Sequence, residues 1–193
     1  GKIGRAEYFV ENQGVQRNPH DAMKPQLSAK MIISHVKEGV DLARKHGLGQ
    51  SMIDFIEQHH GTTLVHYFYN KAKQEAAQPG SSISPDEIRE DDFRYPGPNP
   101  QTKETAIMAL ADKCEAATRS LVDPTPARIE AIVHKIVMKS LEEGLLTDAD
   151  ITIRDLHLVE SAFLRILLGI YHARVQYPDQ EKGLPQSTPL SIV

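Results

Sequence analysis

The sequence predicts an all-α protein, and three observations predict it. Apolar residues recur at three- and four-residue steps along six segments. Capping residues and glycine or proline stops stand at the ends of those segments. Almost no stretch alternates apolar with polar residues, as a half-buried strand would.

The first segment runs from Leu27 to His46, with Leu27, Met31, Ile32, Val36, Val40 and Ala43 at helical spacing and Gly47 as the stop. Ser51, with Asp54 three residues on, resembles a capping box and opens a short helix ending at His59-His60-Gly61. Thr63 to Ala77 reads as a helix with Leu64, Phe68 and Ala72 on one face. Gln78 to Asp92 is polar and turn-rich, with a short helix expected after Pro85. Phe93 to Pro100 carries prolines at alternate positions, which favour an extended, fixed backbone.

Thr102 then caps a helix carrying Ile107, Leu110, Cys114, Ala117 and Leu121. Thr125-Pro126 places a cap before proline at the first helical position, and the helix that follows stops at Gly144. Thr152 with Asp155 opens a last long helix, running to about Tyr177. Residues 1–177 are expected to form one domain, and 178–193, which lack a packing pattern, a flexible tail.

Composition narrows the function classes. The 193 residues are 40% hydrophobic and 25% charged, as in ordinary globular proteins. A net charge of -4 argues against a binder of nucleic acid polymers, which would show a basic face. The single cysteine, Cys114, permits no internal disulfide and suits a reducing compartment. The most apolar stretch, Ala162 to Val175, is broken by Arg165, His172 and Arg174, so no continuous apolar span is present. The chain opens on Gly1-Lys2-Ile3-Gly4 without a methionine and reads as a piece of something longer.

The chemistry lies in the histidines. His35 sits inside the first long helix, on the edge of its apolar stripe. His59 and His60 are adjacent at a helix end, where their rings diverge. Asp112 is a carboxylate within the apolar segment Ala109-Leu110-Ala111-Asp112, where it needs a partner. Three imidazoles and a carboxylate suit zinc, manganese or iron rather than calcium. The plain alternatives stand beside this: a core histidine, a surface helix end, and a carboxylate paired with a lysine or arginine. His20, His46, His66, His134, His157 and His172 receive no role. No Walker loop, zinc-protease signature, nucleophile elbow or dinucleotide-binding glycine pattern is present.

An ordered series of segments points further. Gly1-Lys2 looks like the end of a His-Asp-x-Gly-Lys signature. Tyr8-Phe9-Val10-Glu11-Asn12-Gln13, Asn18-Pro19-His20-Asp21 and Ser34-His35-Val36 follow it. Next come Gln58-His59-His60-Gly61-Thr62, Phe93-Arg94-Tyr95-Pro96-Gly97-Pro98 and Leu110-Ala111-Asp112. Over roughly residues 1 to 145 this series resembles the cytoplasmic HD domain of the seven-transmembrane HD-domain family.

The resemblance implies an HD-type helical bundle that hydrolyses cyclic di-AMP to the linear dinucleotide with two divalent transition metal ions, manganese or iron. It implies metal ligation by His35, His59, His60 and Asp112, with the signature His-Asp falling just ahead of Gly1. Lys2 is then the catalytic lysine that holds a phosphate oxygen. Tyr8, Asn12, Arg94 and Tyr95 are the candidates for substrate binding. It further implies attachment to the cytoplasmic face of the membrane through a longer parent chain, with a homodimer as a candidate assembly. Two other readings share the helices: an HD phosphatase acting on other nucleotides, and a non-catalytic nucleotide-sensing module.

Overall fold

The computed structural model describes residues 1–9 and 18–172. Asn12 and the expected tail at 178–193 lie outside the described residues. Six α-helices occur among those described: α1 (Pro25–Lys45), α2 (Gln50–Gln58), α3 (His66–Ala76), α4 (Lys103–Arg119), α5 (Pro126–Glu142) and α6 (Ile153–His172). Short 3-10 helices span Lys2–Tyr8, Pro19–Ala22, Pro85–Glu87 and Glu90–Phe93. The sole β-type pairing among the described residues is one isolated bridge, Leu64 with Arg94, so the fold is all-α.

Several helix starts follow from the residues that cap them. Thr102 accepts from the Thr105 amide while Thr105 Oγ1 accepts from the Thr102 amide, a reciprocal pair that satisfies two end groups of α4. Thr125 caps α5 with Pro126 at the first position. Thr152 and Asp155 bond reciprocally at the start of α6. The short turn after Pro85 is capped by Ser84.

Three local expectations are corrected. Ser51 does not cap α2: the cap is Gly49, two residues earlier, and Asp54 instead accepts from Gln50 Nε2 at 2.7 Å. α3 begins at His66 rather than Thr63. The reason is a long-range competitor: the Val65 amide donates to the Phe93 carbonyl at 2.9 Å and the Tyr95 amide to the Thr63 carbonyl at 3.0 Å. The buried stripe of α1 is also rotated from the one its large residues suggest. Leu27 is 52% exposed, while Ser28, Ala29, His35, Val36, Gly39, Val40 and Ala43 face inward. His35 therefore lies within the buried face and not on its edge.

The helices pack in two groups. α1 lies against α2 and α3, and Phe93 inserts beside Ala29, Phe68 and Ala72. α4 packs on α5 and α6 around Ala106, Ala109, Leu110, Val137, Leu145 and Leu156. Contact of α2 with α4 joins the groups. Among the described residues no helix is long and apolar enough to cross a membrane.

Candidate metal centre

His35 reaches the site from the middle of α1, and His59 and His60 from the C-terminal end of α2. One ring nitrogen from each lies within 4.8 Å of the others, and no other group of three such donors occurs among the described residues. The two adjacent histidines both reach the site because α2 ends at Gln58, so His59 and His60 lie past its last regular turn. Gly61 follows with φ of +55°, a left-handed turn that favours glycine. A Cβ there would meet Leu145 Cδ1 at 2.5 Å and Asn99 Oδ1 at 2.6 Å.

The turn is clamped from the proline-rich loop. Asn99 Oδ1 accepts from the Thr62 amide and hydroxyl, each at 3.0 Å. Buried Gln58 accepts from the Gln101 amide at 2.9 Å. Tyr95 stacks on the His60 ring with centroids 4.2 Å apart and planes 24° from parallel. The clamping role of Gln58, Thr62 and Asn99 was not visible in the sequence, because their partners lie about forty positions away.

Hydrogen bonding fixes which nitrogens are exposed to a ligand. The Nδ1–H of His35 donates to the Ile32 carbonyl, and that of His59 to the Ile56 carbonyl at 2.8 Å. A carbonyl oxygen only accepts, so the proton of each neutral ring sits on Nδ1 and Nε2 keeps its lone pair. Burial holds both rings neutral. It lowers the His35 pKa to about 4, and it lowers that of His59 against the opposing pull of Asp112. His60 is pushed down as well, by burial first and then by His59 and His35.

The His35 and His59 Nε2 atoms stand 3.2 Å apart. Two lone pairs at that separation repel unless a cation lies between them. Nitrogens about 2.1 Å from a common ion would subtend an angle of about 100° at this spacing, within the range for transition metal sites. A backbone carbonyl accepting from the other ring N–H is also a usual outer partner of a metal-binding histidine. The residues fit a divalent metal ion.

Asp112, 28% exposed on α4, brings a carboxylate oxygen to 3.8 Å from His60 Nδ1. With His60 neutral, this is proximity to the cluster rather than an ion pair. Lys2 lies near enough for its charge to depress all three histidines, and its ammonium sits 5.6 Å from the Phe9 ring centre. Tyr8 stands further off, edge-on to His20, and its carbonyl accepts from His20 Nε2 at 2.9 Å. Arg94 donates to Glu90 through Nε at 3.0 Å and to the Thr62 carbonyl through Nη1 at 3.0 Å. Its guanidinium thus braces the loop. Beside His60, Tyr95 and Asp112 opens a cavity of about 680 Å3, whose far wall is α5. Neither Tyr8 nor Arg94 lines it.

A helical bundle that gathers histidines from two helices and an aspartate from a third is the architecture of a metal-binding hydrolase domain. Residues 18–117 match the HD domain family, and the chain belongs to that family, which implies binding of divalent metal. The chain is 42% identical over 182 residues to the cyclic-di-AMP phosphodiesterase PgpH of Bacillus subtilis, covering 94% of this chain and 24% of that protein. It is 44% identical over 181 residues to PgpH of Listeria monocytogenes, with 94% and 24% covered. The chain thus spans about a quarter of the length of these relatives. The crystal structure of the L. monocytogenes PgpH HD domain superposes with a TM-score of 0.79 at 42% identity, covering 89% of this chain and 76% of that one. The same domain in complex with cyclic-di-AMP gives 0.79 at 41% identity, covering 88% and 75%.

Proposed function

We propose that this domain hydrolyses cyclic di-AMP to the linear dinucleotide as a metal-dependent phosphodiesterase. The observation that carries the reading is the pair of Nε2 lone pairs on His35 and His59, 3.2 Å apart with both Nδ1 protons committed to carbonyls. The substrate follows from similarity to the PgpH phosphodiesterases and to a PgpH HD domain solved with cyclic-di-AMP.

In this reading His35, His59, His60 and Asp112 hold the metal, and manganese or iron in a pair of ions is the proposed cofactor. Such ions, when bound, supply Lewis acidity toward phosphoryl oxygens and make water acidic enough to attack at neutral pH. The neutral rings bind without first losing a proton. Lys2 neutralises charge on a non-bridging phosphate oxygen as it develops. Tyr95 keeps the His60 ring in orientation from the cavity side. Water oxygen adds to one phosphorus, the P–O bond to one ribose breaks, and the departing oxygen takes a proton. No covalent intermediate is needed. Tyr8, Asn12, Arg94 and Tyr95 stay as proposed substrate contacts. Residues 1–177 as the domain, and attachment to the cytoplasmic face of a membrane through further chain, belong to the same proposal.

The full-length protein loaded with manganese or iron is expected to open cyclic di-AMP and to lose that activity to a chelator. Lys2→Ala should cut turnover at least tenfold while metal content changes less than twofold. Equal turnover by Lys2→Ala removes Lys2 from the mechanism. Hydrolysis of other nucleotides in a substrate panel, with cyclic di-AMP untouched, refutes the substrate assignment.

A further inference from the structure

Lys113 follows Asp112 on α4, and its half-buried side chain lines the cavity beside the cluster. Successive helical positions point about 100° apart. Asp112 turns to His60, while Lys113 shares the cavity lining with Ile136, Lys139 and Ser140 of α5, and Lys139 and Glu143, just past that helix, act on its charge. The acids near it are engaged elsewhere. Glu143 Oε1 lies 3.4 Å from Lys139 Nζ and 3.3 Å from His66 Nε2, and Lys139 also donates to His66 at 2.9 Å. Asp112 belongs to the proposed metal set. Among the described residues no hydrogen bond or ion pair reaches the Lys113 ammonium. A half-buried cation without an acceptor is costly and suits an anionic ligand.

The lining of the cavity around it is mixed: His60, Asp112, Lys113, Lys139 and Glu143 supply polar groups, and Val65, Ala116, Ala117 and Ile136 supply apolar ones. Its volume of about 680 Å3 is that of a site for one medium-sized ligand. A ring bearing two phosphodiesters suits such a lining, which offers the proposed metal cluster to one phosphate and the Lys113 cation to the other.

We propose that Lys113 holds the second, unreacting phosphate of a cyclic dinucleotide, and so selects two-phosphate rings over single phosphodiesters. The inference rests on the functional reading above. Lys113 acts here as a specificity residue, by ground-state contact at a distance from the bond that breaks.

The test compares wild type, Lys113→Met and Lys113→Arg in the manganese-loaded full-length protein. Binding and hydrolysis of cyclic di-AMP are measured beside hydrolysis of bis(4-nitrophenyl) phosphate, which has one phosphodiester. Lys113→Met is expected to weaken cyclic di-AMP binding and raise its KM about tenfold, the size of one charge-assisted contact. The KM for bis(4-nitrophenyl) phosphate should shift by less than threefold, and Lys113→Arg should recover most of the cyclic dinucleotide affinity. Equal losses on both substrates, or unchanged cyclic di-AMP binding in Lys113→Met, overturn the inference and leave the phosphodiesterase reading standing. A wild-type protein that neither binds nor opens cyclic di-AMP overturns both.

Discussion

His35 carries its ring among Phe9, His59, His60 and Tyr95, where a charged imidazolium has little water to solvate it. Its pKa falls to about 4 in the folded protein, against about 6.5 for an unperturbed histidine. Between those values the unfolded chain binds a proton that the native state refuses. Stability therefore rises with pH across this window, is complete above it, and is lost as pH falls toward 4. For the metal-free protein the loss from His35 is about 3 kcal/mol. Urea unfolding in chelator at pH 7, 6, 5 and 4.5 should show this slope, and His35→Gln should make it shallower, leaving the part that the lowered His59 and His60 contribute. A wild-type curve that is level from pH 6.5 to 4.5 contradicts the buried neutral state. At neutral pH the same burial leaves Nε2 ready for a metal.

At the scale of an element, the turn after α2 decides whether two adjacent histidines reach one site. Gly61 has no room for a side chain and a backbone that L residues rarely adopt. Gly61→Ala is expected to cost about 1–3 kcal/mol and to lower metal affinity at least tenfold, read by denaturant midpoint and metal titration. Wild-type metal affinity in a folded Gly61→Ala protein would mean the turn does not position His59 and His60. Caps whose partners lie three residues away, at Thr102, Thr125 and Thr152, are legible in the sequence because the physics is local. The start of α3 was not, since Thr63 and Val65 take their hydrogen bonds from a segment about thirty residues on. Nor was the inward rotation of α1, where small residues and a histidine displace Leu27 from the buried face. His35, His59, His60 and Asp112 stood out as residue types and by resemblance. Lys113 did not, because its environment is made by α5, not by its neighbours in sequence.

Across the whole molecule, the proposed ligands straddle the seam between the two helix groups. His35, His59 and His60 come from the α1–α3 side, and Asp112 from the α4–α6 side. Without an ion, the seam rests on the contact of α2 with α4, on His66 with Lys139 and Glu143, and on bonds from the 99–101 loop to Gln58, Thr62, the Gly144 carbonyl and Asp148. A metal ion bound by both sides would act as a cross-link whose strength depends on occupancy, and so would set how cooperatively the domain opens. Native-state hydrogen exchange can read this directly. With metal, the slowest amides of α1 and α5 should share one opening free energy. After chelation they should separate into two values, with one half of the bundle opening while the other stays closed. A single shared value in both conditions would mean the halves are coupled by packing alone, and that Asp112 contributes no link across the seam.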